Sequence, residues 1–216
     1  MNSINYIGLW TIYKKEIMRM MRVVSQAVIA PVISTSLYFV VFGAALGRTI
    51  TEIEGVSYGA YIVPGLIMMA LVMNTLMASS SSIYFPKWSG TIYEMLSAPL
   101  SYLEIALGHV FAAMTRALVV VSIILAVSLL FVSFSIQHPF FSLGFALLTA
   151  FSFALFGFIL GLVSNSFDQL QIMPNFIVTP LSFLGGIFYS IDILPPFWQV
   201  VSLFNPFVYM INGLRY

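Results

Sequence analysis

The sequence predicts an all-α integral membrane protein of about five transmembrane helices, preceded by an amphipathic interfacial helix and followed by external re-entrant pieces. Three observations carry that expectation. Hydrophobic residues make up 61 % of the chain and charged residues 7 %, against roughly 45–50 % and 25 % in soluble domains. The apolar residues gather into runs that match the roughly 20 helical residues a bilayer core requires. Four Lys and Arg precede the first run and Lys87 follows the second, whereas the loop between them has only Arg48, the pattern of cytosolic flanks. Net charge is +1, so nothing points to nucleic acid, and the cations matter by position. With no cysteine in the chain, disulfides and thiolate metal sites are excluded.

Residues 7–22 form the first segment, with Leu9, Tyr13, Ile17 and Met20 on one side and Lys15, Arg19 and Arg22 on another. Together with Lys14 these cations suit a helix on the cytosolic membrane face, either a dedicated docking helix or a basic flank that sets topology. They come too late, and the apolar run after them is too long, for a cleavable signal peptide. The first span is expected at 23–47, with Pro31 near its cytosolic end and Gly43 and Gly47 forming a small-xxx-small face for close helix approach. Arg48, Glu52 and Glu54 mark an external loop, and the second span follows at 58–83 with Pro64 inside it.

Between the second span and the third lies a polar island, residues 83–104, with helix punctuation of its own. Thr91 and Glu94 are spaced as a capping box, and so are Ser101 and Glu104. Ala98 before Pro99 stops the first helix after about two turns. Ile92, Met95 and Leu96 share a face of it at i, i+3 and i+4. Such a short helix is either a plain linker or a knob that another protein grips.

The third span, 106–134, carries Arg116, whose cost at a helix centre is roughly 2.5–3.5 kcal/mol on insertion scales. Its position two to three turns from the cytosolic edge allows snorkelling, and a partner carboxylate or polar pathway is the alternative. His109 lies two turns earlier on the same face. Gln137, His138 and Pro139 form an external turn before a fourth span at 140–163, in which Gly157 and Gly161 make a second small-xxx-small face. Both glycine pairs are candidates for packing within one subunit or across a dimer. After a cytosolic turn at 165–169, the fifth span is expected at 172–189, kinked by Pro174 and Pro180. Residues 195–215, broken at Asn205 and Pro206, leave apolar pieces too short to span; they read as helices entering the outer leaflet and returning.

An ordered set of fragments carries a family resemblance. Ile62-Val63-Pro64-Gly65-Leu66-Ile67 opens the second span, and the island holds Gly90-Thr91-Ile92-Tyr93-Glu94-Met95-Leu96 and Ala98-Pro99-Leu100-Ser101. Pro180-Leu181, Gly185-Gly186-Ile187-Phe188-Tyr189, Leu194-Pro195 and Asn205-Pro206 follow. The chain resembles, over nearly its whole length, the permease subunit of type-2 ATP-binding-cassette exporters, the bacterial permeases of drug and polysaccharide efflux. The resemblance implies a connecting helix over 1–22 (Lys14, Lys15, Arg19, Arg22) and a transmembrane domain over 23–216. It further implies a coupling helix whose ATPase-facing residues are Lys87, Gly90, Thr91, Glu94, Met95 and Leu96, and an external re-entrant pair at 195–215. It also implies two partner ATPase subunits that use ATP and magnesium, a second copy of the permease, and a place in the bacterial inner membrane with the N-terminus in the cytosol. Such subunits carry a sixth span that this sequence lacks, so the chain is expected to be the conserved part of a longer protein.

The chain itself shows no G-x-x-x-x-G-K-[ST], H-E-x-x-H or G-x-S-x-G pattern, so neither nucleotide hydrolysis nor protease or esterase chemistry is expected of it. An ion-coupled carrier would need ionisable groups near mid-membrane, where Arg116 alone is a candidate and no buried acid is evident. A membrane scaffold is the remaining class. The apolar spans with interspersed Ser, Asn, Phe and Met suit an amphipathic or lipid-linked cargo, and suit helix packing equally.

Overall fold

The computed structural model describes residues 5–46, 52–53, 55–132 and 138–215. Helices dominate it, in the order α1 (Tyr6–Arg22), α2 (Ala30–Tyr38), α3 (Tyr58–Ser89), α4 (Ile92–Ser97), α5 (Tyr102–Phe131), α6 (Pro139–Val163), α7 (Phe167–Ile172), α8 (Thr179–Leu184), α9 (Pro196–Leu203) and α10 (Pro206–Arg215). A two-stranded hairpin, Glu52–Ile53 against Val56–Ser57, turns through Gly55 at φ 80°. Four stretches are long and apolar enough to cross a membrane: Ser25–Phe42, Tyr58–Ser89, Tyr102–Phe131 and Pro139–Val163.

The first and fifth expected spans are each built from pieces. In the first, wide π turns at Ser25–Ile29 and Phe39–Leu46 flank α2. In the fifth, the π segment Met173–Val178 joins α7 to α8. Two of these π segments come immediately before a helix with proline in its first turn, Pro31 in α2 and Pro180 in α8. A proline has no amide for the carbonyl four residues back, and the turn before it is widened to bonds that span five residues. Ala30 N–H accordingly donates to Ser25 O, and both the amide and the hydroxyl of Thr179 donate to Pro174 O.

Two boundaries depart from the sequence expectation. α3 does not stop at 83 but runs through Pro86 to Ser89, ending where Gly90 adopts φ 78°. The fifth span starts and stops about one turn early, at Phe167 and Leu184. Ser166 Oγ accepts from Gln169 N to start it, and Gly186, at φ 77°, lies in the turn that follows it. Gly47, Arg48, Glu54 and Gln137 lie outside the described residues, as do the surroundings of Gly43.

α3 is the central helix. It is flanked by α5 and α6 and buries Ile62, Leu66, Met68, Leu71, Leu76 and Ile83. α6 closes onto it at Gly157 and Gly161, where a Cβ would press on the carbonyl oxygens of Leu76 and Ser80. Ser79 Oγ also donates to Ala154 O at 2.6 Å. This glycine face therefore packs within the subunit, and the dimer alternative does not apply to it.

Candidate functional site

At one end of the bundle the chain passes from α3 through α4 into α5. α3 ends at Gly90, whose left-handed backbone costs glycine nothing and frees the chain to turn. α4 follows, and Ala98, extended at ψ 154°, leads through Pro99 into α5. There Ser101 Oγ accepts from Glu104 N while Glu104 Oε2 accepts from Ser101 N, the reciprocal box the spacing anticipates.

The equivalent box at Thr91 does not form. Thr91 already has helical backbone angles, φ −68° and ψ −9°, which aim its hydroxyl away from the first-turn amides, and that hydroxyl pairs with Ser89 Oγ at 3.0 Å. Glu94 therefore does not reach back to the cap and is exposed. α4 contains no buried residue. Ile92 and Met95 are half-buried, whereas Tyr93, Glu94 and Leu96 are exposed beside the exposed Trp88 of α3. The expected apolar face thus splits, and Leu96 belongs to the outer surface. Lys87 also has another role: its Nζ donates to Leu162 O at 2.7 Å and Ser164 O at 2.9 Å, capping the C-terminal end of α6.

α1 does not lie across the helix ends. It runs alongside the first half of α5, in the same direction. Asn5 N donates to Glu104 Oε1, Gly8 abuts Leu100, Ile12 abuts Gly108, and Tyr13 Oη pairs with Thr115 Oγ1. Its buried stripe is Ile12, Glu16 and Met20, at i, i+4 and i+8. Lys14, Lys15 and Arg22 face outward, but Arg19 turns in, pairing with Glu16 Oε2 at 2.9 Å and lying over the Phe85 ring.

Glu16 supplies what the sequence did not show, a buried acid beside Arg116. It is 6 % exposed. Burial pushes its carboxyl above the usual carboxylate range, and the positive charges of Arg19, Lys15 and Arg116 pull the other way. Arg116 and His109 of α5 and Ser82 of α3 line a cavity with Glu16. The partner-carboxylate alternative for Arg116 thus has a candidate group, close enough for its charge to act on Glu16 across the cavity. The signal was in the sequence, since an acid midway along an otherwise apolar i, i+4, i+8 stripe must be buried with compensation. Among the described residues, no group of His, Asp or Glu is assembled to hold a metal ion.

At the other end, Asn205 joins α10 to the bundle. Its Nδ2 donates to Leu181 O at 2.6 Å, and its Oδ1 accepts from Phe207 N at 3.0 Å. α10 then buries Phe207, Val208 and Ile211, and Arg215 caps the assembly through Gly186 O and the Tyr61 ring.

The chain is similar in sequence to known membrane proteins. The profile of the ABC-2 type transporter family matches residues 8–216. Over all 216 residues the chain is 41 % identical to the inner membrane transport permease YadH of Escherichia coli K12, covering 84 % of that protein. It is 22 % identical over 218 aligned residues to nodulation protein J of Rhizobium leguminosarum bv. viciae, covering 99 % of this chain and 82 % of that protein. The chain, an all-α multi-pass membrane protein with an exposed short helix between its second and third spans, belongs to the ABC-2 type transporter family.

Proposed function

We propose that this chain is the permease subunit of an ATP-driven exporter of the bacterial inner membrane, working as a two-fold pair with two separate ATPase subunits. Membership of the ABC-2 family and the likeness to an inner membrane transport permease support the transporter part. The ATPase contact rests on one observation: α4 is held at both ends, between Gly90 and the Ser101 cap, yet buries none of its own residues. An exposed set of Trp88, Tyr93 and Leu96 at such a fixed position suits a protein partner, because aromatic residues are enriched at interface cores. ATP and magnesium belong to that partner. In this reading the cytosolic end carries α4 and the start of α1, and α9 and α10 face outward.

Reconstitution tests the proposal. The permease is co-purified with an ATPase encoded in an adjacent reading frame, and ATP-dependent movement of candidate amphipathic or lipid-linked cargos is followed in proteoliposomes. No ATPase association, or cargo movement driven by an ion gradient without ATP, would refute it. Orientation is checked by single-cysteine labelling, which the cysteine-free sequence makes direct. An impermeant maleimide on intact cells should label cysteine placed at Trp198 and not cysteine placed at Tyr93.

A further inference from the structure

The partly open cavity between α1, α3 and α5 has a volume of about 30 Å³, enough room for a water molecule. Its walls are polar where such walls are seldom left so. Among the described residues, Glu16 Oε1, both ring nitrogens of His109 and Nε of Arg116 are buried without a protein hydrogen-bond partner. His109 is 1 % exposed and Glu16 6 %. Leaving that many buried polar atoms unpaired is costly, and native proteins meet the need with ordered water. The separation of Glu16 Oε1 and His109 Nδ1 is 4.0 Å, too long for a direct hydrogen bond and short enough for one bridging molecule.

We infer that this cavity is a binding site for a structural water that bolts α1 to α5. The water donates to Glu16 Oε1, accepts from Arg116 Nε–H, and takes the His109 ring as its third partner, through the ring N–H or the bare nitrogen. A small anion fits less well. Glu16 Oε1 faces the space and needs a donor, while Arg19 is already engaged with Oε2. Glu16, His109 and Arg116 are on this view positioning residues. With the Asn5–Glu104 and Tyr13–Thr115 bonds they make the third polar tie along the α1–α5 seam. The inference does not depend on the transported cargo or on the ATPase.

Radiolytic hydroxyl-radical labelling in ¹⁸O-water tests it, on the protein purified from native membranes into lipid nanodiscs. Radicals form from the water itself, so a buried side chain beside a bound water is oxidised and a dry one is not. Met20 lines the cavity and is 8 % exposed, Met68 is fully buried in the core, and Met18 is 49 % exposed on α1. Met20 and His109 should be modified at rates approaching that of Met18, with Met68 essentially unmodified. His109→Phe, which removes a polar wall and fills space, should bring Met20 down to the level of Met68. If that variant fails to fold, Ala112→Val fills the same cavity and should do the same. Met20 and His109 as unreactive as Met68 in the unsubstituted protein would show a dry cavity and overturn the inference. Undiminished Met20 labelling in a folded cavity-filled variant would overturn it as well.

Discussion

α4 and the α9–α10 pair are both short helical interruptions at the ends of long spans, and they are held in opposite ways. α4 is fixed only through its flanks, and all six of its residues remain outside the core. α10 is fixed through its own side chains, with Phe207, Val208 and Ile211 buried and Asn205 bonded to α8 and to the α10 backbone. Within a membrane, burial between helices contributes stability through close van der Waals packing and interhelical hydrogen bonds. α10 therefore contributes to the stability of its own bundle, whereas α4 gives up that contribution and keeps a surface available. Mutations at the two ends should separate stability from function accordingly.

The largest effect on folding should come from neither end but from the seam between α3 and α6 that holds them apart. Gly161→Leu would force a side chain against the Ser80 carbonyl and Ile83. The cost should reach or exceed the ~1–3 kcal/mol of ordinary overpacking, because backbone cannot yield as a flexible side chain can. Loss of monodisperse protein on size-exclusion chromatography, and a lowered Tm, would show it. At the end that carries α10, Asn205→Ala strands Leu181 O and Phe207 N and should cost about 1–3 kcal/mol. Thermal unfolding in detergent measures it, and an unchanged Tm would mean that α10 is held by its apolar face alone.

The two capping sequences of the α4 end give a finer contrast. Ser101→Ala removes a formed cap and should cost about 1 kcal/mol. Thr91→Ala removes only the exposed contact to Ser89 and should leave Tm within the error of the measurement. Equal losses at both positions would show that Thr91 caps after all.

That contrast also shows where sequence was sufficient. The S/T-x-x-E pattern is the same at 91–94 and 101–104, but the pattern states only that a cap is possible. Ser101 follows an extended approach through Ala98 and Pro99, leaving it with ψ 153°, as capping requires. Thr91 follows Gly90, whose positive φ returns the chain directly into helical angles. The second, third and fourth spans were legible as long apolar helices, because length and hydropathy dominate membrane insertion. Their ends were less so where proline intervenes, since Pro86 sits inside a helix that neighbouring packing sustains. Gly157 and Gly161 were legible as a close-packing face, and their partner was not, because small residues permit an approach without naming what approaches. Lys87 shows the same limit for charge: its place suggested an outward contact, and the nearby end of α6 took it.

In the proposed mechanism the exposed face of α4 passes work from an ATPase to the spans. Glu94 is the residue on which to test it, because it is exposed and makes no cap, so its replacement perturbs the surface alone. In proteoliposomes holding the permease and its ATPase, Glu94→Arg should leave the Tm of the permease unchanged and abolish ATP-driven cargo movement. Transport at the unsubstituted rate, with the ATPase bound, would show that α4 is a linker and contradict the account.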